Sequence, residues 1–285
     1  MIISRINGGL GNQMFQYAIA RSIAMHHSVD FKLDISSFEK NKQFGFRLNK
    51  LNAKIDIAKK EEIEKYKGSE SKISKIIRRF PLLSDVIYPK LYREKERTVY
   101  DIDVFNSSSL YLDGYWQNEK YFNKIKNELY EEFMPKGNLD EKIIEYEREI
   151  RQCTAVSIHV RRGDYLNIPD IGVLDLNYYM SSVEYILSLF DNVKFFIFSN
   201  DISWCENNFN FIKNKVFISG SSSEIDDLYL MSLCDHNIIA NSSFSWWGGW
   251  LNKNEDKVVI SPKNWMKVNP KDHKWVPDTW LQFPN

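Results

Sequence analysis

The stretch "TAVSIHVRRGDYL", Thr154–Leu166, decides the fold of this chain. Its first seven residues form a short, mostly apolar run, which is typical of a strand buried on both faces of a sheet. Similar runs follow at "VKFFIFS" (Val193–Ser199) and "HNIIAN" (His236–Asn241), and segments with helical spacing lie between them. Short apolar strands that alternate with helices predict an α/β fold with a covered parallel sheet.

The same alternation extends through the second half and, less regularly, through the first. The remaining predicted strands of the second half are Lys215–Ser219 and Lys257–Ser261, and the predicted helices are Asn177–Phe190, Ile202–Asn207, Glu224–Cys234 and Phe244–Leu251. In the first half, "MIISRI" predicts a strand and Gln13–His27 a helix. We expect two domains, residues 1–150 and 151–285, with the boundary within residues 134–152.

Composition limits the classes of function. The 285 residues contain 38 basic and 38 acidic side chains, so the formal net charge is zero and broad binding of nucleic acid is not expected. The three cysteines are widely spaced, which argues against both a disulfide framework and a zinc site. The opening "MIISRINGG" reads as a strand instead of a signal peptide, and we expect a cytoplasmic protein.

One segment differs in charge. Between Lys65 and Arg97 there are ten basic and four acidic residues, and "SKISKIIRRF" (Ser71–Phe80) has apolar residues near helical spacing. A helix that touches anionic lipid would place the protein peripherally on the inner membrane face. The alternative is an ordinary amphipathic helix packed on a core, and this is the interpretation we favour.

Charged residues follow the central strand where ligands usually bind. Arg161 and Arg162 leave the strand at its carboxyl end, which is the ligand-binding edge of an open α/β sheet. A guanidinium matches phosphate geometry, Gly163 permits a tight turn, and Asp164 could hold one arginine in place. The alternative is a surface ion-pair cluster without a ligand.

A second strand–turn–helix segment, "IIANSSFSWWGGWL" (Ile238–Leu251), has polar residues where its helix begins. Asn241, Ser242 and Ser243 could be a plain helix cap, or they could leave the first N–H groups aimed at an anion. Together with the arginines, such a helix N-terminus would converge on a diphosphate without needing a metal.

A glycine-rich stretch, "NGGLGNQMF" (Asn7–Phe15), follows the first strand and precedes a helix. No Gly-Lys-Ser/Thr follows, and Met14 stands where the dinucleotide fingerprint has its third glycine. The stretch therefore predicts only a loop whose backbone comes close to a ligand.

Four motifs occur in order along the chain: "GGLGNQMFQYA", "HVRRGDY", "FSND" and "CDHNIIANSSFSWWGGWLN". With them the chain resembles the bacterial α-1,2-fucosyltransferases of glycosyltransferase family eleven. The resemblance implies a GT-B-like α/β fold of two Rossmann-like domains facing across a cleft, with GDP-fucose held by residues 151–285. It also implies inverting transfer of L-fucose to the 2-hydroxyl of a terminal galactose, in surface polysaccharide or O-antigen synthesis, with no metal or other cofactor.

The resemblance also implies roles for single residues. Arg161 would bind the diphosphate and stabilise the leaving GDP, and His159 would line the donor pocket. Asp164 is a candidate base unless it is tied to Arg161, and the alternative is that no side chain acts as base. Further donor-side candidates are Arg162, Ser199, Asn200, Asp226, Asp227, Asn241, Ser242, Ser243 and Phe244. Asp226 or Asp227 would accept the guanine N1–H and N2–H protons. Acceptor-side candidates are Gly8, Gly9, Gly11 and Asn12.

The implied partners are GDP-fucose and a galactose-terminated oligosaccharide or lipid-linked glycan. Two alternatives are a metal-dependent glycosyltransferase of another class, using Asp101 and Asp103, and a non-catalytic glycan- or nucleotide-binding module. We favour an exposed strand face as the explanation of the two aspartates. For Trp246, Trp247 and Trp250 we favour core packing over stacking on a sugar.

Overall fold

The computed structural model describes residues 1–40, 44–168, 170–220, 223–266 and 274–285. These residues form two compact units, one containing Met1–Met134 and the other beginning at Pro135. This division lies at the start of the range 134–152 in which we expected the boundary, so the helix Glu141–Ile150 belongs to the second unit and not to the first. There the Tyr229 hydroxyl donates a hydrogen bond to Glu147 of this helix (3.1 Å).

The first unit contains a four-stranded parallel sheet with the order β2-β1-β4-β3. Its strands are β1 Ile2–Arg5, β2 Phe31–Asp34, β3 Leu91–Arg93 and β4 Leu110–Asp113. Its helices are α1 Leu10–His27, α2 Ser37–Lys40, α3 Lys60–Lys67, α4 Lys72–Ile77, α5 Pro81–Ile87 and α6 Lys126–Glu132.

The second unit contains a six-stranded parallel sheet with the order β10-β9-β8-β5-β6-β7. Its strands are β5 Thr154–Val160, β6 Val193–Ser199, β7 Lys215–Phe217, β8 His236–Ile238, β9 Val259–Pro262 and β10 Leu281–Phe283. Its helices are α7 Glu141–Ile150, α8 Leu176–Leu189, α9 Ile202–Asn208, α10 Glu224–Leu233 and α11 Ser243–Leu251. The expected α/β class, with two units built on parallel sheets, is confirmed.

The turn between β1 and α1 is tighter than expected. Gly8 adopts a φ of +77°, which suits glycine, and Gly9 is the N-cap residue of α1. Because the helix begins at Leu10 and not at Gln13, Gly11 and Asn12 lie in its first turn instead of in a loop.

Strand β5 is central in the second sheet, and this position organises the site. Val156, Ile158 and Val160 are buried in one apolar cluster with residues of α8. β5 pairs in parallel with both β6 and β8, so the carboxyl ends of the three strands meet at one edge of the sheet. The residues that follow these strands are therefore brought together.

The tryptophans of α11 belong to the core. Trp246, Trp247 and Trp250 are buried, and the Trp246 ring lies 5.5 Å from the ring of Trp280. The expectation of core packing is confirmed, and this packing fixes α11 against the sheet. Among the helices of the described ranges, none has both the length and the apolar character needed to cross a bilayer.

Candidate active site

Three buried polar atoms lie near the carboxyl ends of β5 and β8. Within the described part of the chain, His159 Nδ1, Arg161 Nε and Asn241 Oδ1 have no hydrogen-bond partner. Buried polar atoms in proteins are nearly always hydrogen-bonded, because leaving one unpaired costs about 1–3 kcal/mol. Three such atoms at one sheet edge indicate a site for a polar ligand.

Arg161 is held by its neighbours in the loop that follows β5. Its Nη2 donates a hydrogen bond to Asp164 Oδ2 (2.9 Å), and its guanidinium carbon lies 5.3 Å from the centre of the Tyr165 ring. Asn200 Nδ2 approaches the other oxygen of Asp164 at 3.4 Å. Arg161 is thus oriented by a carboxylate while its Nε–H remains available.

Arg162 has different partners from Arg161. Its guanidinium carbon lies 3.9 Å from the centre of the Trp204 ring, and its Nε is 3.4 Å from Asp201 Oδ2. Its backbone N–H donates to Asn200 Oδ1 (3.0 Å). Each of the two adjacent arginines therefore has its own carboxylate, and Arg162 anchors the loop to the segment after β6. A direct contact of Arg162 with the donor stays a prediction.

The last residue of β6 and the residues after it hold residues 161–167, the arginine loop, in place. Ser199 Oγ donates to the Val160 carbonyl (2.9 Å) and accepts the N–H of Asp201 (2.9 Å). A Cβ atom on Gly163 would lie 2.3 Å from Asn200 Nδ2, so any larger residue there would displace the Asn200 side chain. The structure assigns Ser199 and Asn200 contacts that position the loop, and their contact with a donor stays a prediction.

His159 is buried and uncharged at neutral pH. Burial lowers its pKa to about 3, and the positive charge of Arg161 acts in the same direction. Its ring lies 5.4 Å from that of Phe244 in α11. A neutral imidazole can donate or accept a hydrogen bond, but it adds no positive charge to a phosphate site.

The segment before α11 is also held tightly. Asn241 Nδ2 lies 3.2–3.4 Å from the carbonyl oxygens of Ile171, Gly172 and Trp265. Because all three are acceptors, they fix the orientation of the amide and direct Oδ1 elsewhere. The Ser242 hydroxyl accepts the N–H of Phe244 (3.3 Å), so Ser242 is an N-cap residue.

Ser243 begins α11 and is half-buried, like Phe244. The first turn of α11 is therefore reachable from solvent beside the buried Asn241 and Ser242. The expected convergence of this turn with the arginine loop is supported by the contact between His159 and Phe244.

Tyr165 is a site residue that the sequence interpretation did not single out. Its hydroxyl is 3.4 Å from the Asn241 carbonyl oxygen, and so it links the arginine loop to the start of α11. Burial raises its pKa, against the opposing effects of Arg161 and Ser242. Its position within "HVRRGDY" was a signal that could have identified it.

The two candidate guanine acceptors lie at the start of α10. Asp226 completes a capping box, in which its Oδ2 accepts the backbone N–H of Ser223 (3.1 Å). At least one carboxylate oxygen of Asp226 is therefore already hydrogen-bonded at the N-terminus of α10. Asp227 is half-buried at the next position. Recognition of guanine by either residue stays a prediction.

In the first unit, Asn12 Oδ1 accepts a hydrogen bond from Gln117 Nε2 (2.8 Å). A Cβ atom on Gly8 would lie 2.8 Å from Asn12 Nδ2, so Gly8 and Asn12 are close neighbours. The contact with Gln117 joins the first turn of α1 to the segment after β4, at the carboxyl edge of this sheet. The acceptor role of Gly8, Gly9, Gly11 and Asn12 stays a prediction.

Glu94 lies at the same edge, immediately after β3, and no sequence pattern indicated it. Its two carboxylate oxygens accept the N–H groups of Tyr115 (2.7 Å) and Trp116 (2.9 Å). Burial raises the pKa of Glu94, although these two hydrogen bonds act the other way. Trp116 has a φ of +59°, so Glu94 stabilises an unusual turn.

Asp101 and Asp103 do not lie on a strand, and that expectation is wrong. Asp101 is the N-cap of a 3-10 helix and accepts the N–H of Asp103 (3.2 Å). Its other oxygen accepts hydrogen bonds from Tyr92 (2.8 Å) and Lys95 (2.9 Å). Burial acts to raise the pKa of Asp101, but Lys95 and Tyr92 outweigh it and hold the pKa below its ordinary value. Among the described residues, no group of three His, Cys, Asp or Glu side chains is arranged to hold a metal ion.

Two known bacterial proteins are similar to this chain over nearly its whole length, and a mammalian protein is similar over part of it. An alpha-1,2-colitosyltransferase of Escherichia coli is 37% identical, covering 97% of this chain and 98% of that protein. The O-antigen biosynthesis glycosyltransferase WbnK of Escherichia coli is 33% identical, covering 98% and 99%. Galactoside alpha-(1,2)-fucosyltransferase 2 of Bos taurus is 26% identical, covering 61% of this chain and 55% of that protein.

The sequence model described as Glycosyl transferase family 11 matches residues 1–278. The match confirms the resemblance inferred from the four motifs. It also agrees with the arrangement of the second unit, where an arginine and a helix N-terminus meet at the carboxyl edge of a parallel sheet. The chain therefore belongs to glycosyl transferase family 11 and is a glycosyltransferase.

Proposed function

We propose that the protein transfers L-fucose from GDP-fucose to the 2-hydroxyl of a terminal galactose, with inversion, during synthesis of a surface polysaccharide. The observation that carries the proposal is the set of three unpartnered buried atoms, His159 Nδ1, Arg161 Nε and Asn241 Oδ1. A sugar diphosphate offers both acceptors and hydroxyl donors to such a set. The α-1,2 linkage is taken from the names of two of the relatives.

Arg161 would act on the leaving group. When the bond between the sugar C1 and the β-phosphate oxygen breaks, its electron pair stays on the phosphate, and negative charge develops there. A preorganised donor aimed at this charge contributes about 3–4 kcal/mol to catalysis. Arg161 is preorganised by Asp164 (2.9 Å), and we assign Asp164 this positioning role instead of the role of base.

His159 and the start of α11 would complete the donor site. A neutral imidazole would form a hydrogen bond with a sugar hydroxyl, or with a phosphate oxygen whose charge Arg161 already balances. The N–H groups in the first turn of α11 that are not bonded to the Ser242 hydroxyl would face the diphosphate, favoured by the helix dipole. With both cationic and N–H donors available, we propose that no metal is required.

A colitosyl donor is a second candidate, and the 37% identical relative favours it. Colitose is L-fucose without the 3-hydroxyl, so both sugars place the same groups at C1, C2 and C4. A site that hydrogen-bonds the 3-hydroxyl would strongly prefer the fucosyl donor over the colitosyl donor. A site with only apolar contacts at C3 would discriminate weakly between the two donors. The two donors must therefore be compared directly.

The acceptor would be a galactose-terminated oligosaccharide or a lipid-linked glycan. Asn12, Gln117 and Glu94 place amide and carboxylate groups at one edge of the first sheet. Such groups are suited to binding sugar hydroxyls.

We expect Arg161→Ala to lower kcat by roughly a hundred- to a thousand-fold, because the leaving diphosphate loses its charged donor. The measurement is GDP release from GDP-fucose with a panel of β-galactosides, with and without EDTA. Arg151→Ala is the matched control, since Arg151 is an exposed arginine just before the amino end of the same strand, paired with Glu147. Near-normal turnover of a folded Arg161→Ala enzyme would contradict the assignment.

The same assay separates the candidate functions. Acceptor-dependent release that is insensitive to EDTA supports the proposal, and a higher kcat/KM for GDP-colitose than for GDP-fucose would identify colitosyl transfer. Release that EDTA abolishes would point to a metal-dependent enzyme. Binding of GDP-fucose without turnover on any galactoside would identify a binding module.

A further inference from the structure

Seven large apolar side chains are exposed within a short segment of the first unit. They belong to residues 71–90, which we call the apolar hairpin: helices α4 and α5 with the turn between them. The seven are Ile73, Ile76, Phe80, Leu82, Leu83, Val86 and Ile87. Leu82 is 87% exposed, Val86 79% and Ile73 73%, and the seven make up nearly half of the fifteen exposed large apolar residues in the described part of the chain.

The inner face of the apolar hairpin is polar, which is the reverse of an ordinary amphipathic helix. Ser74 and Ser84 are its buried residues. Ser74 Oγ accepts a hydrogen bond from the Tyr88 hydroxyl (3.1 Å), and Ser84 Oγ accepts one from Arg93 Nη1 (3.1 Å). The sequence expectation of a helix whose apolar residues pack on a core is therefore wrong for this segment.

The apolar hairpin is anchored and is not a loosely attached segment. Arg78 donates hydrogen bonds to the carbonyl oxygens of Lys67 (2.8 Å) and Ser69 (3.0 Å) and to the Glu70 carboxylate (3.1 Å). Ser71 caps α4 and Pro81 begins α5. Specific polar contacts thus hold the apolar hairpin in an orientation that exposes its apolar side chains.

Positive charge accompanies the exposed apolar face. Residues 71–90 contain five basic side chains and one acidic one, Asp85, so the net charge is +4. Lys72, Lys75 and Arg79 are exposed beside the apolar side chains. Long cationic side chains next to apolar ones are typical of segments that lie at the boundary between lipid head groups and acyl chains.

We propose that the apolar hairpin inserts into the surface of an anionic phospholipid bilayer. Its apolar residues would enter the acyl boundary, and Lys72, Lys75 and Arg79 would contact the phosphates. With six and seven residues, α4 and α5 are far too short to span a bilayer, so the contact is with one face only.

Charge favours a bilayer over a second copy of the chain as the occupant. A twofold interface brings the same surface of both copies together, and here it would place two sets of cations opposite each other. An anionic lipid surface instead attracts each cation. Each lysine or arginine near the surface strengthens binding of the protein to the membrane roughly five-fold.

The test is cosedimentation of the full-length protein with phosphatidylglycerol-containing vesicles and with pure phosphatidylcholine vesicles. We expect binding to the anionic vesicles that weakens as salt is raised. Leu82→Ser/Val86→Ser should lower it roughly ten-fold or more, because two of the most exposed apolar side chains are removed. Lys72→Gln/Arg79→Gln should weaken binding to anionic vesicles and leave binding to neutral ones unchanged.

Leu187→Ser/Leu189→Ser is the matched control, since these two residues of α8 are also exposed but lie in the second unit. This variant should bind vesicles like the unaltered protein. All variants should keep their turnover of a water-soluble acceptor, which verifies folding. Absence of vesicle binding would overturn the proposal, and so would a dimer in sedimentation that Leu82→Ser/Val86→Ser converts to a monomer.

Discussion

At the scale of residues, adjacent arginines after a buried strand would repel each other unless each charge were balanced. The structure balances them separately, Arg161 with Asp164 and Arg162 with Asp201 and the Trp204 ring. Of these two arginines, Arg161 is the one with a buried N–H donor, at Nε, that has no protein partner among the described residues. Arg162 therefore holds the loop through both its backbone and its side chain, whereas Arg161 has one N–H group left for the proposed donor.

His159 should make the stability of the protein depend on pH. Its folded-state pKa of about 3 lies below the ordinary value of 6.5, so between these values the unfolded chain takes up a proton that the folded chain does not. Stability is therefore lost as pH falls through this window, by about 1.4 kcal/mol per pH unit at most. Urea unfolding of His159→Gln at neutral and mildly acidic pH should show a smaller loss than the unaltered protein.

His26→Gln is the control for this measurement, because His26 is an exposed histidine near the end of α1. An equal loss of stability with acid in His159→Gln and the unaltered protein would contradict the burial of a neutral imidazole.

At the scale of elements, the loop after β5 depends on its fit against the segment after β6. A methyl group on Gly163 would lie 2.3 Å from Asn200 Nδ2, and Asn200 would have to release the Arg162 N–H to make room. We expect Gly163→Ala to lower kcat/KM by roughly ten- to a hundred-fold with the fold intact, because Arg161 loses its position.

Double-variant kinetics test this explanation. Asn200→Ala also removes the hydrogen bond from the Arg162 N–H, but it leaves space for a side chain at residue 163. In that background, Gly163→Ala should therefore cause little further loss of kcat/KM. Gly45→Ala is the control, since a Cβ atom there has only ordinary contacts at 3.8 Å. Fully additive effects of the Gly163 and Asn200 substitutions would show that the two residues do not act through one contact.

At the scale of the whole molecule, the residues assigned to the donor all lie in the second unit. We therefore expect GDP to slow amide hydrogen exchange in residues 161–167 and at the start of α11, and to leave the strands β1–β4 unaffected. Arg161→Ala should lose this protection, and GMP, which has no β-phosphate, should give less of it. Protection centred on the first sheet would contradict the assignment of the donor site.

Much of the second unit could be predicted from local pattern. The expected strands Thr154–Val160 and Val193–Ser199 match β5 and β6, because each is a continuous apolar run of the length of a buried strand. Two three-residue strands, β3 and β10, and the helices α2, α3 and α5 of the first unit were missed. A run of three residues carries too little periodicity. In α5 the apolar side chains face outward and Ser84 is buried, which is the reverse of the usual pattern.

The sequence by itself determined the alternating α/β pattern, the family and the position of the arginine loop at a strand end, because these depend on neighbours along the chain. Only the tertiary structure decided which carboxylate each arginine meets, that Asp226 completes a helix cap, and that Glu94 supports the turn at Trp116. It also decided that Ile73, Ile76 and Phe80 face outward. Helical spacing is the same for a side that faces a core and one that faces a bilayer, and only the packing of distant segments distinguishes them.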